Sequence, residues 1–181
     1  MKEKDTAERL TKFNLGLPIK GEEILGFYSW VNYNGFRAPE TCGNNYQKIH
    51  QAYDFGVYLH QDGRKIVGLP EGVSVRATAD GRVDVVRIEN YLERLKNYQA
   101  VRIIHQSGRG TFYSWYLHVV PLVKKDEFIK KGQFIAEIFR GEFNTPHLHF
   151  ELMLPEGRFG GRFIDPGLLF PELYRHNLDS I

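Results

Sequence analysis

Asn144-Thr145-Pro146-His147-Leu148-His149-Phe150-Glu151-Leu152 is the stretch on which the reading of this chain turns. Leu148, Phe150, Leu152 and Leu154 fall on one parity, and His147, His149, Glu151 and Met153 on the other. A period of two is the signature of a half-buried strand. Its apolar face packs on a core and lifts both imidazoles onto the opposite face. Pro146 fits just ahead of such a strand, where no ladder N–H is needed. On its own the stretch is equally an ordinary amphipathic strand whose outward residues happen to be histidine. A second constellation upstream changes that balance.

That constellation is His50-Gln51-Ala52-Tyr53-Asp54, running into Phe55-Gly56-Val57-Tyr58-Leu59. Phe55, Val57 and Leu59 share a parity and predict a buried strand face, so Asp54 emerges on the opposite side, as His149 does. Further on, Thr111 to Val120 predicts a strand with Tyr113, Trp115, Leu117 and Val119 facing one way and Ser114, Tyr116 and His118 the other. Three strands thus present polar groups opposite apolar faces: Asp54 with nearby His50, then His118, then His147 with His149.

The rest of the chain predicts a small, mainly β domain. Val73 to Ala79 alternates, and Asp80-Gly81 before Arg82 to Val86 is a strong hairpin signal. Val101 to His105 and Phe134 to Phe139 read as strands, joined to their neighbours by turns at Gly108 to Gly110 and Lys130 to Gln133. A short amphipathic helix or a loose tail is expected over Met1 to about Phe13, short helices over Tyr91 to Tyr98 and over Leu168 to Tyr174, and a loop over Gly35 to Gln47. The divisions expected are an N-terminal tail and irregular segment over residues 1–34, the main domain over 35–170 and a C-terminal tail over 171–181. The 181 residues, 42% hydrophobic, suffice for one core and exclude a disordered chain. A net charge of +2 is too small to argue for nucleic acid. The single cysteine, Cys42, excludes an internal disulfide and any multi-cysteine metal site. A metal here has to use His, Asp or Glu. No run is long enough to span a membrane, and Met1 to Lys12 is polar, with no apolar signal-peptide core.

Zinc takes imidazole nitrogen and carboxylate oxygen, and three protein ligands leave a fourth position for water. Of His147 and His149, one can ligate while the other stands beside the open position as a base. The remaining histidines have plainer readings: His60 solvated in a loop, His105 at a strand end and either structural or lining a groove, and His176 without a role.

His50-x-x-x-Asp54, Leu117-His118 at a strand end and the late His147-Leu148-His149-Phe150-Glu151 together resemble the LytM/lysostaphin-type zinc metallopeptidases, the M23 peptidase family. Gly35 to Pro39, Gly72 to Ala77, Ala79 to Val83, Lys131 to Ile135 and Ile164-Asp165-Pro166 extend the resemblance from about Leu17 to Phe170. It implies a strongly bent antiparallel sheet with the site in a groove. It implies His50, Asp54 and His149 as zinc ligands, His147 as general base and His118 as stabiliser of the oxyanion. It also implies hydrolysis of peptide cross-links or stem peptides of bacterial peptidoglycan, at the cell envelope, in the periplasm or outside the cell. The alternative is a non-catalytic or autoinhibited LytM-type cell-wall module; the complete set of ligands speaks against the non-catalytic form, and the residues before Gly35 are candidates to occlude the site in the autoinhibited one. A barrel amidohydrolase needs a longer chain, a cupin needs its carboxylate ligand after the His pair, and metal analysis of the purified protein separates a metal-free β-barrel binding domain from the others. The chain departs from the family pattern at Ala52 and Thr145, where glycine is usual, in a longer His60 to Leu69 loop and in an inserted Glu89 to Ala100 segment. None of these removes a ligand.

Overall fold

The computed structural model describes residues 14–30, 50–70, 72–88, 99–107, 110–139, 145–156, 160–170 and 173–176. Its strands are β1 (Ile24–Trp30), β2 (Tyr53–Phe55), β3 (Val57–His60), β4 (Lys65–Val67), β5 (Ser74–Arg76), β6 (Gly81–Ile88), β7 (Gln99–Ser107), β8 (Gly110–Pro121), β9 (Phe128–Ile129), β10 (Phe134–Ile138), β11 (Leu148–Glu156), β12 (Gly160–Ile164) and β13 (Leu173–His176). The mainly β, antiparallel architecture expected from the alternation is what the chain forms. The helices expected over Met1 to Phe13 and Tyr91 to Tyr98, and the loop over Gly35 to Gln47, lie outside the described residues.

Among the described residues, nine strands make the main sheet. Its central path runs β12, β11, β8, β7, β6, β9, with β10 joining β5 to β8 and β2 lying beside β11. A second sheet of four strands runs β13, β1, β3, β4. β13 lies parallel to β1, and the other pairings among the described residues are antiparallel. The chain passes from one sheet to the other at Gly56, between β2 and β3. Between the sheets lies an aromatic core. Phe55 meets Phe27 edge-on at 5.0 Å and Tyr53 at 4.6 Å, and Phe150 sits 5.2 Å from Tyr116 and 6.1 Å from Phe170. Aromatic pairs at such distances add to the gain from burying their area.

Two local expectations are corrected. Asp80-Gly81 does not close a hairpin: β5 pairs with β10, while β6 pairs with β7 and β9. Asp80 instead accepts from the Lys131 amide at 2.8 Å, tying the turn ahead of β10 to the start of β6. Glycine is needed at 81 for clearance, since a Cβ there would lie 2.6 Å from the Ile104 carbonyl oxygen. The second correction concerns the C-terminal helix. Only Pro166–Leu168 forms a 3-10 turn, capped by Asp165, which accepts from the Gly167 amide at 2.8 Å. Leu173–His176 is extended because β1 offers it a ladder edge.

His105 is structural, as expected, and fully buried. Its Nδ1–H donates to the Asp80 carbonyl at 2.8 Å, and its ring stacks on Phe112 at 4.3 Å. The other nitrogen can then only accept, so the Ser114 hydroxyl, 2.7 Å away, donates to it. Ser114 in turn lies 3.2 Å from the Tyr116 hydroxyl, which accepts from the Thr78 amide. Burial pushes the imidazole down to about 4 from its usual 6.5, against an opposing hydrogen bond to Asp80. Between those pH values the unfolded chain binds a proton that the native state does not. Stability therefore rises with pH through this window and is lost as pH falls from 6.5 towards 4. Each tenfold difference in proton affinity is worth about 1.4 kcal/mol, so the loss attributable to His105 is roughly 2–3 kcal/mol. Urea unfolding at about pH 7 and about pH 4.5 should show it as a drop in parent stability that is smaller by this amount in His105→Gln. Equal drops in both proteins would show that His105 is not the group responsible.

Candidate metal centre

The antiparallel register brings the site together. β11 lies between β2 and β8, and His149 stands directly opposite Asp54 on one side and Leu117 on the other. Directly opposed residues share a face with Cβ atoms about 5 Å apart. Leu148, Phe150 and Leu152 are fully buried on the core side, so His149 and Glu151 project from the other face, as the alternation implied. His149 Nδ1 lies 3.0 Å from Asp54 Oδ1. His50, just ahead of β2 and buried, brings Nε2 to 3.3 Å from the same oxygen and 3.2 Å from His149 Nδ1. These three donor atoms lie within 4.8 Å of one another and form a group that can hold a metal ion.

The electrostatics follow from the packing. Burial alone would raise the Asp54 carboxyl, but hydrogen bonds from His149 and His50 outweigh it and hold Asp54 well below the usual carboxylate range. Burial would lower His149, but hydrogen bonds to Asp54 and Glu151 raise it to about 10. The centre thus keeps a full negative charge on Asp54 among imidazoles.

His147 precedes β11 and sits beside this group, with Nε2 3.9 Å from Asp54 Oδ1. Its Nδ1–H donates to the Thr145 carbonyl at 2.7 Å. Gly56 allows that position, because a Cβ on residue 56 would stand 2.8 Å from the Cβ of His147. The sequence reading missed Gly56. Only the contact between the β2–β3 junction and the approach to β11 reveals why that residue has no side chain.

His118 arrives by a route that the alternation had reversed. Phe112, Ser114 and Tyr116 are the buried face of β8, while Tyr113, Trp115 and Leu117 are half-buried on the site face. A regular strand would send His118 to the core side. Instead Ala100 pairs with Leu117 and Gln99 with Val119, which skips residue 118. His118 takes a left-handed φ of 66° at this bulge, a conformation unusual for a residue with a side chain. The extra residue returns Val119 to the core and brings the His118 ring 4.5 Å from that of His147 and 5.5 Å from that of His149. Burial, and then the neighbouring His147 and His149, push His118 well below the usual imidazole range. It is therefore neutral at ordinary pH.

All five histidine and aspartate residues singled out in the sequence gather here. His60 does not: at the end of β3 it is partly exposed and lies 3.2 Å from Glu23 and 2.9 Å from Asp62. His176 is in β13, in register with Trp30.

An antiparallel sheet carrying a His/Asp centre on the face away from its core defines the class. The chain belongs to peptidase family M23, whose family model matches residues 60–166, more than half of its length. The match takes in His118, His147 and His149 and begins after His50 and Asp54. Among solved structures the fold is similar to the antimicrobial peptidase lysostaphin from Staphylococcus simulans, at 22% identity and a TM-score of 0.52, over 81% of this chain and 52% of that one. A solution structure of lysostaphin gives 23% identity and a TM-score of 0.52 over 78% and 52%. The chain thus spans about half the length of these lysostaphin structures. No curated protein matches it. No helix among the described residues is long and apolar enough to cross a membrane.

Proposed function

We propose that this chain is a zinc-dependent endopeptidase that hydrolyses peptide cross-links or stem peptides of bacterial peptidoglycan. Membership of a peptidase family supports the reaction type. The observation that carries the reading is the convergence of His50, Asp54 and His149 with two further imidazoles beside them. Donor atoms around a tetrahedral zinc, each roughly 2.0–2.1 Å from the ion, lie about 3.3 Å apart. The separations of 3.0, 3.2 and 3.3 Å fit that donor set. Such a substrate puts the work of the protein at the cell envelope or outside the cell.

A zinc ion held by these three residues would supply a Lewis acid and a water acidified towards neutrality. The protein's own groups do the rest. The Thr145 carbonyl holds the Nδ1–H of His147, which leaves Nε2, the atom nearer Asp54, to take a proton from the attacking water. The same group then returns that proton to the leaving amine. His118, neutral because it is buried, offers an N–H to the negative charge that develops on the scissile carbonyl oxygen. Its bulge fixes the ring beside His147 before substrate arrives, so little reorganisation is left for the reaction itself.

Defined peptidoglycan fragments incubated with the zinc-loaded protein, with products identified by mass spectrometry, test the proposal. New peptide amino termini should appear, disappear on chelation and return when zinc is restored. Fragments that stay intact, or breaks confined to the glycan, would refute it.

A further inference from the structure

Glu151 is the group that the proposed reaction leaves unused, and it touches a ligand directly. It follows His149 by two residues on the same face of β11 and stands opposite Trp115 of β8. Its Oε1 lies 3.2 Å from His149 Nε2, and its side chain is only 18% exposed. The two nitrogens of His149 thus face different carboxylates, with Nε2 on Glu151 and Nδ1 on Asp54. As a metal ligand the imidazole must be neutral, and it then carries one N–H. If that hydrogen sits on Nδ1, it points at Asp54 and occupies the lone pair that a metal shared with His50 and Asp54 requires. If it sits on Nε2, Glu151 accepts it and Nδ1 presents its lone pair to the centre.

We infer that Glu151 is a positioning residue that selects Nδ1 of His149 as the metal-binding atom by accepting the Nε2 hydrogen. The inference rests on the zinc reading above. A carboxylate behind a ligating histidine fixes its tautomer and ring orientation, and losing such a partner typically costs roughly 10- to 100-fold in metal affinity. The backbone assists: antiparallel pairing to β8 at both Leu117 and Trp115 holds the His149–Glu151 spacing.

The test compares the parent with Glu151→Gln, whose amide oxygen still accepts, and Glu151→Leu, which fills similar space but cannot. Zinc affinity is read by competition with a chromogenic chelator, and the metal-bound nitrogen by long-range proton–nitrogen spectra of the zinc-loaded proteins. Glu151→Leu should bind zinc roughly 10- to 100-fold more weakly, with Glu151→Gln staying within a few-fold of the parent. The parent and Glu151→Gln should show His149 bound through Nδ1. Equal affinities in all three proteins, equal losses in both variants, or a parent bound through Nε2 would overturn the inference. The spectra of the parent decide the last point even if Glu151→Leu fails to fold. A parent that takes up no zinc would instead refute the metal reading itself.

Discussion

His149→Ala is expected to lose zinc and peptide-bond hydrolysis together, the largest effect of any single change considered. His149 is the hub of the centre, within 3.2 Å of both other proposed ligands. Its removal leaves one imidazole and one carboxylate, too few for a stable tetrahedral site. Elemental analysis should fall from about one zinc per chain to near none, with activity at background. The fold should survive, because Leu148 and Phe150 on either side keep the core face of β11 intact. A variant that keeps its zinc and its rate would reduce His149 to an outward strand residue and end the proposed assignment.

His147→Ala separates the two histidines of the motif. His147 is also near Asp54, but at 3.9 Å rather than 3.0 Å, and its Nδ1 is committed to Thr145. Its loss should leave His50, Asp54 and His149 holding zinc at about one per chain. Turnover should fall by about 100-fold or more, the usual scale for a positioned general base. A variant with parental turnover would mean that His147 has no part in the reaction. Loss of zinc from His147→Ala, with zinc retained in His149→Ala, would invert the two roles.

The alternation of Leu148, Phe150 and Leu152 with His149 and Glu151 was enough to place β11 and its two faces, because strand parity is a property of neighbouring residues. Asp54 does emerge opposite buried Phe55, but the parity run on to Leu59 breaks at Gly56, where the chain passes to the second sheet, and Tyr58 rather than Leu59 is buried there. The mainly β class followed from such runs, and the M23 resemblance from the order of the His and Asp motifs. Parity failed at His118. Whether residue 118 continues the strand or bulges out of it is decided by how β8 registers against β7, and nothing within Thr111 to Val120 reports that register. Asp80-Gly81 misled for the same reason. The pair is compatible with a hairpin, but β5 found a better partner in β10, and the glycine serves the close approach of Ile104. Gly56 owes its identity to His147, which is remote in the chain and adjacent in the fold. The sequence by itself thus determined which residues carry the proposed chemistry and which strand faces hold most of them. Tertiary pairing alone decided the distances among those residues, the bulge that delivers His118 and the two carboxylates that flank the His149 ring, because each depends on a partner strand that local periodicity does not encode.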